Sequence, residues 1–434
     1  MTAPPPALRI AFLLPSFPEL SNTFILTQIT GLLDRGHEVL LFAVAQNSFA
    51  DAHPDVTRYA LAERMLHLPI PVGRVARLRS ALALMASAEG RRRAALDALN
   101  PWRHGRRSLN LVHYHTVVSF LRAPHFDVLH CQFGDYGPAS ERLLRLASND
   151  VALVTSFRGA DLTLGLEREP RRFADLLRNG DMFLPVSDDF GRRLVAAGAP
   201  ADRVITHRSG LALERFAFAQ RRPQDGPPRL LFVGRLTEKK GVAYLLEALA
   251  MVLASGRDAR LSIVGSGRLE SALRSRCQSL GLTDRVQFCG PLPHTEVIRA
   301  MERSHVVVAP SITGTDGDQE GIPNVLKEAM AVGLPVVATR HSGIPELVED
   351  GVSGFLAAER DAEDLGRCLT TVLDNPQRWP EWGRAGRRRV EAEYDAQRLN
   401  DELVRLYRRA IVERAGRRPS VRTPLEAPTD RIES

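Results

Sequence analysis

The sequence predicts an α/β protein of two domains, each built on a parallel β-sheet with helices on both faces. Its 434 residues exceed what one ordinary hydrophobic core accommodates. Short apolar, β-branched runs alternate with helical patterns through both halves, which is typical of parallel sheets in βαβ order. A polar stretch dense in proline and glycine, residues 220–228, separates the two series and indicates a linker. Two such halves predict two Rossmann-like α/β/α domains that face each other across a cleft.

The first domain is predicted to span residues 1–218. A helical pattern at residues 22–35 follows its first strand and ends at Gly36, because glycine commonly terminates helices. Strands are expected where apolar, β-branched runs are bounded by turn residues. In this domain those runs are residues 8–14, 37–45, 126–133, 152–157, 182–187 and 203–208.

The second domain is predicted to span residues 226–394 and repeats the same alternation. A final helical pattern at residues 397–412 predicts a helix, within residues 396–413, that returns to pack on the first domain. Residues 416–434 have the composition of a disordered tail. The expected strands of this domain are residues 229–233, 260–264, 285–289, 305–309 and 335–339.

Composition narrows the classes of function. The formal net charge of +7 and the pI of about 9.6 favour anionic partners. No apolar run approaches the ~20 residues that span a bilayer, and the start lacks a secretory signal, so we expect a cytoplasmic protein. Four scattered cysteines predict neither a zinc site nor a disulfide framework. Nucleic acid is not an expected partner, because the sequence has no zinc-finger or RNA-binding signature.

Arginines cluster in residues 74–107, a stretch that also contains an apolar repeat. Val75, Leu78, Leu82 and Met85 recur there at helical spacing. Two interpretations stay open. The stretch forms either an amphipathic helix that rests on anionic lipid at the inner membrane face, or a helix packed on the domain with a solvated basic face.

Lysine is rare in this chain, with three residues among 58 lysines and arginines. Lys239, Lys240 and Lys327 all fall in two short glycine-bearing segments. An ammonium group suits phosphate as a movable point charge, whereas arginine offers a rigid fork. The two segments are therefore candidate phosphate-binding elements.

The most informative stretch is a helix predicted to start at Pro323 and to end near Gly333. Backbone N–H groups around Gly321, Asn324 and Val325 then lie at the positive end of the helix dipole without helical partners. Such a helix tip is suited to binding a phosphate.

Two glutamates and two cations complete the predicted site. Glu320 precedes the helix and Glu328 lies about five residues inside it, displaced roughly 7–8 Å along the axis. One carboxylate can contact a transferred sugar and the other a ribose, with a diphosphate between them. Arg235 and Lys240 add full positive charges for a departing diphosphate, typically the largest catalytic contribution. The alternatives are an ordinary helix with surface glutamates and a basic surface turn.

Five motifs of the second half occur in order: Gly-Arg-Leu with Lys-Gly, Val-Gly-Ser-Gly, Phe-Cys-Gly-Pro-Leu, Glu-Gly-Ile-Pro-Asn-Val-Leu-Lys-Glu-Ala, and Gly-Ile-Pro-Glu-Leu-Val with a later Gly-Phe-Leu. This combination resembles the retaining glycosyltransferases of family 4, which have the GT-B fold. Residues 15–25 resemble their bacterial exopolysaccharide members of the colanic-acid type. The resemblance covers nearly the whole chain except its two ends and residues 74–107.

The resemblance also implies roles for individual residues. Arg235 and Lys240 would hold the donor diphosphate, Glu320 would contact the transferred sugar and Glu328 the ribose. Transfer would proceed with retention by a front-face route in which the leaving phosphate takes the acceptor proton, so no metal or other cofactor is expected. The other implied donor-binding positions are Gly234, Gly265, Gly290, Leu292, Gly321, Ile322, Asn324, Val325 and Leu326.

The first domain departs from the family at the end of the strand predicted for residues 152–157. Arg158 stands where the family usually has a histidine that touches the donor sugar. Arginine cannot act as a neutral imidazole donor, but it binds a sugar hydroxyl or a phosphate, so we include it among the catalytic candidates. Acceptor-side contacts are expected from Ser21, His130 and Asp161, and a structural role is the alternative for His130.

Two short patterns suggest metals, but both have plainer interpretations. Asp316 and Asp318 form an Asp-x-Asp sequence that we interpret as a polar glycine loop leading into Glu320. His113 and His115 are interpreted as core or surface histidines. No metal site is predicted.

The sequence therefore predicts an enzyme that moves a hexose from a UDP- or GDP-linked sugar to a hydroxyl of a glycan or lipid-linked glycan. Exopolysaccharide or lipopolysaccharide biosynthesis is the expected context. Alternatives are a nucleotide-sugar epimerase on the same scaffold and a non-catalytic nucleotide-sugar-binding protein. A dehydrogenase is disfavoured, because residues 265–267 lack the third glycine of the dinucleotide fingerprint.

Overall fold

A computed structural model describes residues 5–18, 23–49, 52–66, 73–86, 124–147, 150–222 and 225–417. Some predictions lie outside these ranges. They concern Ser21, the His113 and His115 pair, residues 87–107 of the basic stretch, and residues 418–434 of the expected tail.

The first sheet is parallel throughout. Its strands are β1 (Arg9–Phe17), β2 (Glu38–Gln46), β3 (Val128–Cys131), β4 (Ala152–Phe157) and β5 (Met182–Pro185). Within the described ranges they lie in the order β2-β1-β3-β4-β5. Every residue of β3, β4 and β5 is buried, which explains why these strands are apolar runs rather than alternating patterns.

Helices connect these strands and cover the sheet. They are α1 (Thr23–Asp34), α2 (Pro54–Arg58), α3 (Arg74–Ala86), α4 (Gly137–Ala147), α5 (Pro170–Asn179) and α6 (Asp188–Ala196), with a π-helical turn at Asp161–Leu166. Helix α3 includes the start of the basic stretch. Its Val75 and Leu78 side chains are 68% and 55% exposed, whereas Ala81 is buried.

The second sheet is also parallel. Its strands are β6 (Arg229–Val233), β7 (Arg260–Val264), β8 (Val286–Gly290), β9 (Val306–Ala309), β10 (Val336–Thr339) and β11 (Phe355–Ala357). Their order is β11-β10-β9-β6-β7-β8. The two sheets have separate hydrophobic cores, which confirms the prediction of two α/β domains.

The helices of the second half pack on this sheet through apolar faces. In α7, Leu245, Leu249 and Val252 recur at helical spacing and are buried. The helices are α7 (Val242–Ala254), α8 (Glu270–Ser279), α9 (His294–Arg303), α10 (Asn324–Ala331), α11 (Ile344–Leu347), α12 (Ala362–Asp374), α13 (Trp379–Glu393) and α14 (Ala396–Gly416). None of the helices in the described part of the chain is long and apolar enough to cross a membrane.

The chain passes between the domains a second time at its carboxyl end. Leu211 donates its N–H to the carbonyl of Tyr394 over 2.8 Å, and Ala396 donates to the carbonyl of Leu211 over 3.1 Å. Helix α14 then packs in the core of the first sheet through Leu403 and Tyr407. The predicted return helix is confirmed.

The structure corrects one strand prediction and adds one strand that was not predicted. Residues 203–208 form no strand but make a single bridge, between Phe183 and Val204. The backbone N–H groups of Ile205 and His207 still bond to β5, so the segment is extended without forming a continuous ladder. Strand β11 was not predicted, because three residues are too short to show a period.

Candidate active site

A cavity of about 370 Å³ lies where the two domains meet. It is placed at the carboxyl ends of parallel strands, since Arg158 follows β4, Val186 follows β5 and Gly234 follows β6. This is the edge where open α/β sheets bind ligands. The wall consists of Phe24, Arg158, Val186, Ser209, Val233, Gly234, Arg235, Lys240, Glu320, Gly321, Ile322, Pro323, Asn324, Val325, Lys327, Glu328 and Tyr394.

Most of the predicted site residues share this wall, although three segments distant in sequence supply them. The predicted residues in it are Arg158, Gly234, Arg235, Lys240, Glu320, Gly321, Ile322, Asn324, Val325 and Glu328. The predicted residues outside it, among those described, are His130, Asp161, Gly265, Gly290, Leu292 and Leu326.

The start of α10 forms one side of the cavity. Pro323 precedes its first residue, and within the described ranges no side chain caps this end. Asn324 and Val325 at the first turn line the cavity. Their position gives the site a helix tip with backbone donors and a positive dipole end, which suits an oxyanion.

Glu320 is held between two ammonium groups. Its carboxylate oxygens lie 3.2 Å from Lys239 Nζ and 3.1 Å from Lys240 Nζ. Burial raises the pKa of Glu320, but the charges of Lys240 and Lys239 outweigh it and lower the pKa to about 2. Lys239 also pairs with Asp318 over 2.9 Å. We call Lys239, Lys240, Asp318 and Glu320 the paired cluster.

A buried histidine orients the backbone of Glu320. The Glu320 N–H donates to His341 Nε2 over 3.1 Å, and His341 Nδ1 lies 2.7 Å from Glu359 Oε1. Because Nε2 accepts, Nδ1 carries the proton and donates to the carboxylate. This chain of bonds fixes the loop that presents Glu320 to the cavity.

Arg235 differs from the neighbouring lysines because its charge is not neutralised. It is exposed, lines the cavity, and has no ion-pair partner among the residues the structure describes.

The Asp-x-Asp sequence, Asp316 to Asp318, lies in the loop that precedes Glu320. The Asp318 carboxylate pairs with Lys239, and the Asp318 N–H donates to Asp316 Oδ1 over 3.0 Å. The pattern is thus built into the loop before Glu320.

Glu328 is the fifth residue of α10, just over one turn from its start, and is buried. His294, the first residue of α9, places Nε2 3.2 Å from Glu328 Oε1. This hydrogen bond raises the pKa of His294 above its usual value. The second predicted carboxylate therefore faces the cavity from a position braced by another loop of the same domain.

Arg158 extends from the end of β4 and is held by neutral oxygen atoms. Its Nε donates to the Gln132 carbonyl over 3.0 Å, and Nη2 donates to Gln132 Oε1 over 2.7 Å and Gln28 Oε1 over 3.4 Å. Its Nη1 donates to Ser209 Oγ over 2.8 Å. Burial lowers the pKa of Arg158 to about 10, although the charge of Asp161 opposes the shift.

Lys327 reaches from α10 in the second domain to the same serine. Its Nζ donates to the carbonyl of Ser209 over 2.7 Å and lies 5.5 Å from the centre of the Tyr394 ring. The residue is 1% exposed. Burial lowers the pKa of Lys327 to about 7, with Glu328 opposing the shift and Arg158 adding to it. We call Arg158, Lys327 and Ser209 the Ser209 cluster.

Two predicted acceptor-side residues require correction. His130 is fully buried, with Nδ1 2.6 Å from the Tyr407 hydroxyl and Nε2 2.8 Å from Ser156 Oγ. Asp161 is also buried, and its carboxylate accepts the N–H groups of Gly134, Arg158 and Gly159. Both side chains are buried and engaged in hydrogen bonds within the protein, so they support the loops of the site rather than contact a substrate.

Three predicted positions of the second domain pack behind the cavity wall. Leu326 is a core residue on the buried face of α10. Gly265 has φ +127°, and a Cβ there would collide with the Gly234 carbonyl. The Gly265 N–H also donates to the Gly290 carbonyl over 2.8 Å, so these glycines bring three loops together. Leu292 is exposed and lies outside the cavity.

Several wall residues were not predicted. Ser209 and Tyr394 lie in no motif, and Phe24 lies within residues 15–25 but was not predicted as a site residue. Each of the three reaches the cavity through the packing of the domains. Lys327 had a signal, its place among the rare lysines, but helical spacing alone does not show that it faces a cavity.

Comparisons with known proteins agree with this architecture. Residues 214–389 match the family model described as glycosyl transferases group 1. The chain is 36% identical to a Salmonella typhimurium protein named as the colanic acid biosynthesis glycosyltransferase WcaL, over 92% of this chain and 99% of that protein. It is 33% identical to the amylovoran biosynthesis glycosyltransferase AmsK of Erwinia amylovora, over 93% and 100%.

Among solved structures, Anabaena Alr3699/HepE in complex with UDP and glucose matches with a TM-score of 0.66 at 17% identity, over 92% of this chain and 98% of that one. Sucrose-phosphate synthase from Thermosynechococcus elongatus matches with a TM-score of 0.65 at 20% identity, over 94% and 100%. Both support the two-domain architecture. The chain therefore belongs to the group 1 glycosyltransferases and is an enzyme with the GT-B fold.

Proposed function

We propose that the enzyme transfers a hexose, with retention, from a UDP- or GDP-linked sugar to a hydroxyl of a glycan or lipid-linked glycan in exopolysaccharide biosynthesis. The relatives named for colanic acid and amylovoran biosynthesis support this context, and the HepE complex with UDP and glucose supports a nucleotide-sugar donor. One observation carries the proposal. Lys240 and Glu320 lie 3.1 Å apart beside Arg235 and the tip of α10 in a single cavity.

The donor diphosphate binds between Arg235, Lys240 and the first backbone N–H groups of α10. Negative charge accumulates on the diphosphate as the glycosidic bond breaks. Fixed cations and a helix dipole stabilise that charge without having to reorient, because folding has already placed them. Lys240 is the central residue of this step, since it contacts both the diphosphate site and Glu320.

The two glutamates bind the ends of the donor. Glu320 stays ionised at neutral pH because of its low pKa, so it accepts hydrogen bonds from hydroxyls of the transferred sugar. Glu328, braced by His294, accepts from the ribose hydroxyls. The leaving phosphate takes the proton of the acceptor hydroxyl, and neither a protein base nor a cofactor takes part in this proposal.

The donor is tested first by its effect on stability. A ligand that binds only the folded state raises the melting temperature, so a panel of UDP- and GDP-sugars identifies the nucleotide. Nucleotide release is then measured with Glu320→Gln and Lys240→Met, using Glu381→Gln as a matched surface control. Unchanged release in both site variants would refute the site assignment. Sugar conversion without an acceptor would instead indicate an epimerase, and binding without cleavage a non-catalytic protein.

The proposal also places the acceptor at a membrane surface. Support comes from α3, where Val75 and Leu78 are exposed at the start of the arginine-rich residues 74–107. Electrostatic binding to anionic lipid weakens as salt screens it. We therefore expect co-sedimentation with phosphatidylglycerol vesicles at low salt and release at high salt. Equal behaviour with neutral vesicles would contradict membrane contact.

A further inference from the structure

The cavity contains two cations that the proposed donor site does not use. Arg158 from the first domain and Lys327 from the second both line it, and both bind Ser209. Arg158 binds the side chain of Ser209 and Lys327 its carbonyl. The two charges are therefore brought to one place on the cavity wall by atoms of a single residue.

Neither cation forms an ion pair with a carboxylate in the part of the chain that the structure describes. Among the described residues, the acceptors of the Arg158 guanidinium are neutral: the Ser209 hydroxyl, the Gln132 carbonyl and the amide oxygens of Gln28 and Gln132. Lys327 likewise makes no ion pair with any carboxylate in the described ranges. An enclosed cation without a counter-charge is unfavourable, because burial removes its hydration.

The paired cluster shows that this arrangement is not general in the cavity. Lys240 also lines the cavity and Lys239 beside it is buried, yet Asp318 and Glu320 neutralise them at 2.9 to 3.2 Å. Bonding capacity also remains in the Ser209 cluster, since an ammonium has three donors and Lys327 uses one on Ser209. The cluster therefore has both the charge and the free donors to bind an anion.

We propose that Arg158 and Lys327 form a second oxyanion subsite, which binds a carboxylate or phosphate that is not part of the donor diphosphate. The inference rests on the proposed function, because it requires a substrate in this cavity. The anion has two sources of the same chemistry. It is the carboxylate of a hexuronic acid carried by the donor, or an acidic sugar or phosphate carried by the acceptor.

The donor is tested by calorimetry on the full chain. The probes are UDP, UDP-glucose and UDP-glucuronic acid, or the GDP equivalents if those stabilise the protein. If the anion is a carboxylate on the donor, Lys327→Met and Arg158→Gln should each lower the affinity for UDP-glucuronic acid at least tenfold. Affinity for the free nucleotide should change less than threefold. Arg158→Lys should restore part of the loss, and Arg257→Gln, at a surface pair, should have no effect.

The acceptor is tested by KM with glucose-terminated and glucuronate-terminated oligosaccharides and with a short prenyl diphosphate disaccharide. An acidic acceptor predicts that Lys327→Met raises KM at least tenfold for the anionic probe and little for the neutral one. Melting temperatures and circular dichroism establish that the variants fold.

Each result decides between the two proposals. Equal weakening of UDP and every sugar nucleotide would assign Arg158 and Lys327 to the diphosphate site and overturn the inference. Nucleotide binding with no difference between anionic and neutral probes in either experiment would overturn it as well. Failure of the wild-type chain to bind any nucleotide would instead refute the proposed function, and with it this subsite.

Discussion

The two groups of cations in the cavity differ in what surrounds their charge. In the paired cluster, carboxylates of Asp318 and Glu320 face the lysines. In the Ser209 cluster, the hydrogen-bond acceptors among the residues that the structure describes are neutral oxygens. Burial lowers the pKa of Lys239, but Glu320 and Asp318 outweigh it and raise that pKa above its usual value. The pKa of Lys327, which lacks such a partner, falls to about 7.

This difference follows from where each cluster is built. Two neighbouring loops of the second domain form the paired cluster, so its charges are balanced before any substrate arrives. The Ser209 cluster exists only where the domains meet. A ligand entering there exchanges hydration for a preformed cationic surface, which favours an anion. One cavity thus combines a balanced region with a region that remains electrostatically incomplete.

The largest expected effect is on the paired cluster. Lys240→Met removes a charge that faces both Glu320 and the diphosphate site. Loss of one preorganised group at a developing charge costs about 10²–10³ in kcat, so we expect a decrease of that size. Nucleotide release at saturating donor measures it. Arg257→Met, which breaks an exposed pair with Asp374, serves as the control. A decrease below tenfold would mean that Lys240 only balances Glu320.

A second prediction concerns the stability of the Ser209 cluster. Lys327→Met replaces a buried unpaired ammonium with an apolar side chain of similar shape. We expect the free energy of unfolding at pH 7 to rise by about 1–3 kcal/mol, because the variant removes the cost of burying a polar group. Urea unfolding measures the change, and lower stability would show that the bond to Ser209 outweighs the burial cost.

The same variant has a defined dependence on pH. The pKa of Lys327 is about 7 when folded and 10.5 when unfolded, so between these values the unfolded chain binds more protons. Wild-type stability should therefore rise with pH in this window, by at most about 1.4 kcal/mol per unit from this residue. The advantage of Lys327→Met should narrow between pH 7 and pH 9. A gap that stays constant would contradict the lowered pKa.

A smaller effect is expected at Gly321, where the second domain packs closely against the first. A Cβ at Gly321 would lie 2.6 Å from Val186 Cγ2 and 2.8 Å from the Arg158 carbonyl. Gly321→Ala should cost about 1–3 kcal/mol of unfolding free energy, or separate the domains. In the control Gly366→Ala, the nearest atom is 3.7 Å away and helix α12 should gain about 0.5–1 kcal/mol. Equal behaviour of the two variants would remove the steric argument.

The smallest effect concerns a contact that holds the domains together beside the cavity. Glu346 of α11 accepts the N–H groups of Asp188 and Asp189, at the start of α6, over 2.9 Å each. Glu346→Ala removes this cap, so it should lower the free energy of unfolding by about 0.5–2 kcal/mol and raise the KM for the donor. Glu363→Ala, which removes an exposed pair with Arg367, should stay within about 0.5 kcal/mol. If Glu346→Ala changes the free energy of unfolding but not the KM for the donor, this contact does not contribute to donor binding.

Local patterns predicted much of the fold. Strand β4 matches its predicted bounds because all six residues are buried and apolar or small, which makes the run continuous. Residues 203–208 resemble such a run in sequence, yet only two of their N–H groups bond to β5. A segment at the edge of a sheet becomes a strand only where it pairs with a neighbouring strand. Composition does not reveal over how many residues the two segments pair.

In the cavity, too, some residues were predicted from local motifs, whereas the roles of others depend on tertiary contacts. Glu320 and Lys240 were predicted because motifs mark the loops that follow parallel strands, and those loops share one edge of a sheet. His130 lies within β3 and Asp161 follows β4, but the side chains of both make buried hydrogen bonds inside the protein. Whether a polar residue at such an edge serves a ligand or the fold depends on neighbours from other elements.

By itself, the sequence determined the two parallel sheets and the chemistry of the helix that begins at Asn324. Burial on both faces and spacing within one helix are local properties of the chain. Tertiary structure alone decided which cations remain without a counter-charge. Ser209 lies 51 residues from Arg158 and 118 from Lys327, and only the packing of two domains brings those three together.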